Sequence, residues 1–125
     1  MKETFYIGAH GNLSLYVAKV MLSGMASAGV KVLAEGLPIG TEIVGIRHIT
    51  ENLGAGTGIK VELIDASAGN TELLSVTTTS ADSGVTALNP VYISDDGPSD
   101  LVLTNTGSEA TGEVVIQLEY RFKDY

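Results

Sequence analysis

His10 and His48 are the side chains in this sequence best suited to acid–base or metal chemistry, and no cysteine accompanies them. A zinc site takes three or four ligands, usually His or Cys with acids in support. His10 sits in the glycine-flanked stretch Gly8-Ala9-His10-Gly11, and His48 sits in an apolar run. Neither has a second His nearby, so both read as structural or surface histidines. A Ser–His–Asp triad is defined by geometry rather than chain order. The Gly-x-Ser-x-Gly elbow is missing, however, and Ser14, Ser75 and Ser94 fit strand or turn positions.

Two further segments imitate ligand sites. Gly54-Ala55-Gly56-Thr57-Gly58-Ile59-Lys60 looks like a phosphate loop, but a P-loop needs Gly-Lys-Ser/Thr after its second glycine. Here Ile59 follows Gly58 and Val61 follows Lys60, which leaves a hairpin loop as the better reading. Asp95-Asp96-Gly97-Pro98-Ser99-Asp100 clusters carboxylates as calcium requires, yet it lacks the EF-hand spacing and closing Glu. It reads as an acidic turn. Sugars stack on exposed aromatic rings, and the chain has Tyr6, Tyr16, Tyr92, Tyr120 and Tyr125 but no Trp. Tyr120 lies on the apolar side of its segment, so core packing is the default there. The residues thus predict no catalytic centre, no cofactor and no metal.

The elements that would position these residues are strands. Val114, Ile116, Leu118, Tyr120 and Phe122 alternate with Gln117, Glu119 and Arg121, a period of two broken only by Val115. That is a strand with one wet face. Similar runs recur between turn residues, predicting strands near Phe5–Ile7, Leu13–Leu22, Val30–Ala34, Glu42–Thr50, Gly58–Asp65, Leu73–Thr78, Val91–Ser94, Leu101–Asn105 and Glu113–Phe122. Ala81–Gly84 reads as a loop. Leu13–Leu22 also fits a helical period, but its neighbours favour a strand. Strands at this spacing predict an all-β fold, a β-sandwich or a barrel with little or no helix, spanning residues 1–125 as one domain. Ile43–Ile49 and Leu101–Leu103 carry apolar residues on both faces, as for an interior strand or one whose outer face meets another subunit.

Composition narrows the function further. Fifteen acids against seven bases give a formal charge of −8, which repels phosphate backbones and anionic membranes. Nucleic acid and membrane are therefore not expected partners. Apolar residues at 44% with 18% charged describe a folded chain. The N-terminus lacks the apolar core of a signal peptide, so use without export through a standard signal is expected.

Taken together, Leu37-Pro38-Ile39-Gly40-Thr41-Glu42-Ile43-Val44-Gly45-Ile46-Arg47, Gly54–Gly58, Pro90-Val91-Tyr92-Ile93 with its acidic turn, and Ala110-Thr111-Gly112-Glu113-Val114-Val115-Ile116 form a familiar order. It resembles the small β-sandwich virion proteins of tailed bacteriophages, above all head decoration (cement) proteins. The similarity covers most of the chain from Val30 onward, and the N-terminal third departs most. The resemblance implies a jelly-roll-like sandwich, assembled in the host cytoplasm as a homodimer or homotrimer on the outside of a phage head. There it would bridge subunits of the major capsid protein. A tail, neck or fibre component is the alternative within the virion, and a carbohydrate-binding module the alternative outside it. Candidate contacts are Phe5, Tyr6 and Ile7 in an N-terminal arm over residues 1–11, the loop Ala66–Asn70, and Asp95 and Asp96 in Asp95–Asp100. The arm is chosen because apolar residues at a chain end usually need a partner to become ordered.

Overall fold

A computed structural model describes residues 13–65, 69–93 and 98–122, and these form eight strands. They are β1 (Ser14–Met25), β2 (Val30–Leu37), β3 (Thr41–Thr50), β4 (Gly58–Asp65), β5 (Gly69–Thr77), β6 (Asp82–Tyr92), β7 (Ser99–Asn105) and β8 (Ala110–Phe122). Sheet A has the order β1-β8-β3-β6 and sheet B the order β2-β7-β4-β5. Every described pairing is antiparallel. Only β4 and β5 are joined as a hairpin within one sheet; every other connection crosses to the opposite sheet. This is the eight-stranded jelly roll, two Greek keys folded face to face.

The period of two fixes which residues meet inside. Across sheet A, Tyr16 pairs with Leu118 and Leu118 with Ile46; Ala18 pairs with Ile116 and Ile116 with His48. Across sheet B, Leu103 pairs with Val61 and Val61 with Leu74. Directly opposed residues point to the same face, so these rows form the two walls of one buried cluster. Tyr16 and Tyr120 are both buried. The Tyr16 hydroxyl donates to the Leu33 carbonyl of the other sheet at 3.2 Å, which gives the buried O–H a partner.

The ambiguous segment after Leu13 is strand, as expected, and β4 matches its expected bounds. Two departures have physical causes. First, Ala81–Gly84 is not a loop: β6 begins at Asp82 and runs through Asn89 and Pro90. It is an edge strand, where a missing ladder N–H is tolerated, and its pairing with β3 shifts register between Ile43 and Gly45. Second, the two-sided apolar character of Ile43–Ile49 owes much to the same irregularity. Val44 is the extra residue, so both Ile43 and Ile46 point inward, while Arg47 and Ile49 point out. In Leu101–Leu103 the outward residue, Val102, is buried between its neighbours Val32 and Glu62.

One end of the sandwich is closed by Asn105, which is 1% exposed. Its Nδ2 lies within hydrogen-bond distance of the carbonyls of Met25 (3.0 Å), Ala26 (3.1 Å) and Ser108 (2.9 Å). Its Oδ1 accepts from the Gly107 N–H at 2.9 Å. Its backbone exchanges bonds with the Ala26–Gly29 turn, accepting from Ala28 N–H and donating to Gly29 C=O. Asn105→Leu would leave these loop groups without their buried partner, each at about 1–3 kcal/mol. We expect urea denaturation to give a loss of roughly 3 kcal/mol or more, and Asn105→Asp to do no better because a carboxylate cannot donate.

Candidate functional site

The topology sorts the loops between two ends. Ser14 pairs with Tyr120, Ile43 with both Tyr120 and Val91, and Asp65 with both Gly69 and Ser99. The start of β1, the β2–β3 turn, the β4–β5 turn, the β6–β7 connection and the end of β8 therefore share one end. Phe5, Tyr6, Ile7, Asp95 and Asp96 lie outside the described residues, as do Ala66–Ala68. The strand ends that lead into all three sequence-predicted contact regions are nonetheless brought together here. Sequence spacing alone did not reveal that convergence, since it follows from strand order. At its margin the Asp100 carboxylate accepts from the Gly36 N–H at 3.0 Å.

The opposite end is held by hydrogen bonds. Besides Asn105, the Thr78 hydroxyl donates to the Thr57 hydroxyl, and that hydroxyl donates to the Gly54 carbonyl, each at 2.8 Å. Thr106 and Ser108 N–H groups donate to Gly58 and Gly56 carbonyls. The phosphate-like segment is thus a turn whose groups are committed to neighbouring loops. A shallow depression of about 330 Å³ beside it is lined by Thr57, Ser75, Thr77, Thr79 and Thr106, without a charged group.

His48 is a core residue of β3, with its ring against Gly84 of β6. A Cβ at Gly84 would lie 3.0 Å from His48 Cε1, so the close approach favours glycine. Nε2 lies 2.9 Å from Asp82 Oδ2. An ionised carboxylate only accepts, so Nε2 carries the proton. Nδ1 is buried and has no hydrogen-bond partner among the described residues. A general base must reach a substrate proton, and this nitrogen faces the interior, so the pair serves to hold β6 against β3. Among the described residues no group of three or more His, Asp or Glu is placed to hold a metal. Of the described tyrosines, Tyr16 and Tyr120 are buried and Tyr92 is exposed.

The outer face of sheet A has a different character. Leu15, Val17 and Met21 of β1, Ile49 of β3 and Val85 of β6 are exposed on it. Its charged groups pair across strands: Lys19 with Glu113 at 3.4 Å, Arg47 with Glu119 at 3.0 Å, and Arg121 with Glu42 at 2.7 Å. The Arg47 pair is two-pronged, through Nε and Nη2. Glu119 reaches Arg47 by crossing Gly45, where a Cβ would collide with the carboxylate. Sequence alternation marked Val115 as an odd apolar residue on this face but could not assemble the rest, because the contributing strands are far apart in the chain.

No protein-family model matches the sequence, and no curated protein matches it. By structure, the chain is similar to a chain in the capsid asymmetric unit of cyanophage Pam1, with TM-score 0.69, 17% identity, and 98% of this chain and 93% of that chain covered. It is also similar to a chain in the capsid of Ralstonia phage GP4, with TM-score 0.68, 11% identity, and 98% and 93% covered. A chain of the acidic stable capsid of Helicobacter pylori bacteriophage KHP30 gives TM-score 0.56, 18% identity, and 90% and 94% covered. The resemblance to phage virion β-sandwich proteins therefore holds at the level of fold.

The His48–Asp82 pair makes a pH prediction. The hydrogen bond from His48 is the main cause that holds the Asp82 carboxyl below its ordinary 3.8; partial burial opposes it, and the His48 charge and the Ser83 backbone assist. A carboxyl lowered in the folded state stabilises the fold above its unfolded value and loses that contribution as pH falls through the folded one. Asp82→Asn should melt lower than wild type at pH 5–6 (about one unit or more above the carboxyl range). The two melting curves should converge as pH drops below 3.8.

Proposed function

We propose that this chain is a structural virion protein, a decoration (cement) protein that binds the outside of a phage head and bridges subunits of the major capsid protein. The observation that carries the reading is the match of fold, nearly end to end in both partners, with chains of three phage capsids. The geometry supports it. The described strand ends that lead toward the sequence-predicted contact regions share one end of the sandwich, and hydrogen bonds hold the other. Such a protein stabilises a shell through many identical weak contacts, since binding at symmetric sites adds up without high affinity at each. The same fold would serve a tail or neck component. Copy number separates the two, because a head decoration protein occupies hundreds of equivalent sites where a tail part occupies a few (on the order of ten).

The test uses undecorated heads of the phage that encodes the chain. Wild-type protein should cosediment with them and raise their thermal disruption temperature. Deleting residues 2–11 should abolish cosedimentation while leaving the circular dichroism spectrum of the sandwich unchanged. A folded deletion variant that still saturates the heads would remove the arm from the contact; wild-type protein that never binds heads would remove the decoration role.

A further inference from the structure

We propose that residues 4–9 form a further strand of sheet A, folded back on the second edge of β1 through a tight turn at Gly11-Asn12. The edge itself is the first observation. Among the described strands, β1 pairs with β8 alone. A strand paired on one side offers a row of N–H and C=O groups to any extended segment, and proteins blunt such rows with charge, proline or bulges. The other three edges of the sandwich carry those devices. β6 contains Pro90 and shifts register against β3. β2 carries Lys31 and Glu35 and shifts register twice against β7. β5 carries Glu72 and shifts register against β4. By contrast, β1 runs through nine residues, Ser14 to Leu22, in unbroken register with β8. Its one charged side chain, Lys19, is already held by Glu113. A regular, apolar edge of that length is built to be covered.

The chain beside this edge identifies the occupant. Residues 1–12 lead into β1 through Leu13, so they begin at one end of the edge. Gly followed by Asn is the dipeptide of a two-residue type II′ hairpin, because glycine takes the positive φ at the first turn position. A turn at Gly11-Asn12 fixes the register: His10 faces Leu13, Ile7 faces Tyr16, Tyr6 faces Val17, Phe5 faces Ala18 and Thr4 faces Lys19. Directly opposed residues share a face of the sheet. Phe5 and Ile7 therefore join Ala18 and Tyr16, which are buried, while Thr4 and Tyr6 join Lys19 and Val17, which are exposed. The pattern of the segment thus matches the two faces of β1, and a slip of one residue would turn Phe5 and Ile7 outward. Because segment and edge belong to one chain, the pairing loses no translational freedom of a second molecule.

The inference concerns the free protein and stands apart from the decoration reading, which head binding tests. The chain has no cysteine, so paired substitutions report the register directly. Opposed residues of antiparallel strands lie about 4.5–5.5 Å apart at Cα, within reach of a disulfide. Tyr6→Cys with Val17→Cys should crosslink within one chain under mild oxidation. Ile7→Cys with Val17→Cys, one residue out of register and on opposite faces, should crosslink on the order of a hundredfold more slowly. Hydrogen exchange gives a second readout. Deleting residues 2–11 leaves the eight described strands in place, but alternate amides within residues 15–19 of β1 should exchange about tenfold faster or more, while those of the central strand β3 hold. Equal crosslinking of both pairs, a crosslink that joins two chains, or β1 amides unaffected by the deletion would each overturn the inference. Heads that bind a protein failing these tests would leave the decoration reading standing while sinking this one.

Discussion

Asn105 holds together loops that the order of the strands would otherwise leave to their own entropy. Because nearly every connection in this jelly roll crosses between sheets, few contacts are local and the loops must be fixed by something other than a hairpin ladder. The buried amide provides it, joining the Ala26–Gly29 turn and the Thr106–Ser108 turn through donors and an acceptor that are all used. The Gly56–Gly58 turn joins them through backbone bonds from Thr106 and Ser108, and Thr57 with Thr78 extends the network to the β5–β6 connection. A buried polar network that is fully satisfied rigidifies and specifies. Its cost would appear only if one member were removed.

That closure makes the two ends unequal, and the inequality bears on function. Loops with committed backbone groups offer few free hydrogen-bonding groups to a partner. Glycine shapes the outer face of sheet A directly. The missing Cβ at Gly45 leaves room for the Glu119 side chain to lie across β3 and meet the Arg47 guanidinium in a two-pronged pair. Surface ion pairs of this exposure contribute little to stability. What they do accomplish is to neutralise a face within a strongly acidic chain, a property that matters for association far more than for folding.

Much of the fold could be read from the chain because alternation is a direct image of burial. Ile59, Val61 and Leu63 are buried and Lys60, Glu62 and Ile64 face outward, so β4 is recovered to the residue. β6 was not, since Asp82, Ser83, Gly84, Asn89 and Pro90 are turn-forming types. An edge strand with an irregular register tolerates all of them. The strand pairing that sets Lys19 beside Glu113, or Arg121 beside Glu42, joins residues separated by most of the chain. Local spacing holds no trace of such pairs. The isolation of His48 in an apolar run points to a structural or surface histidine, while its partner Asp82 lies among turn-forming residues that give no strand signal.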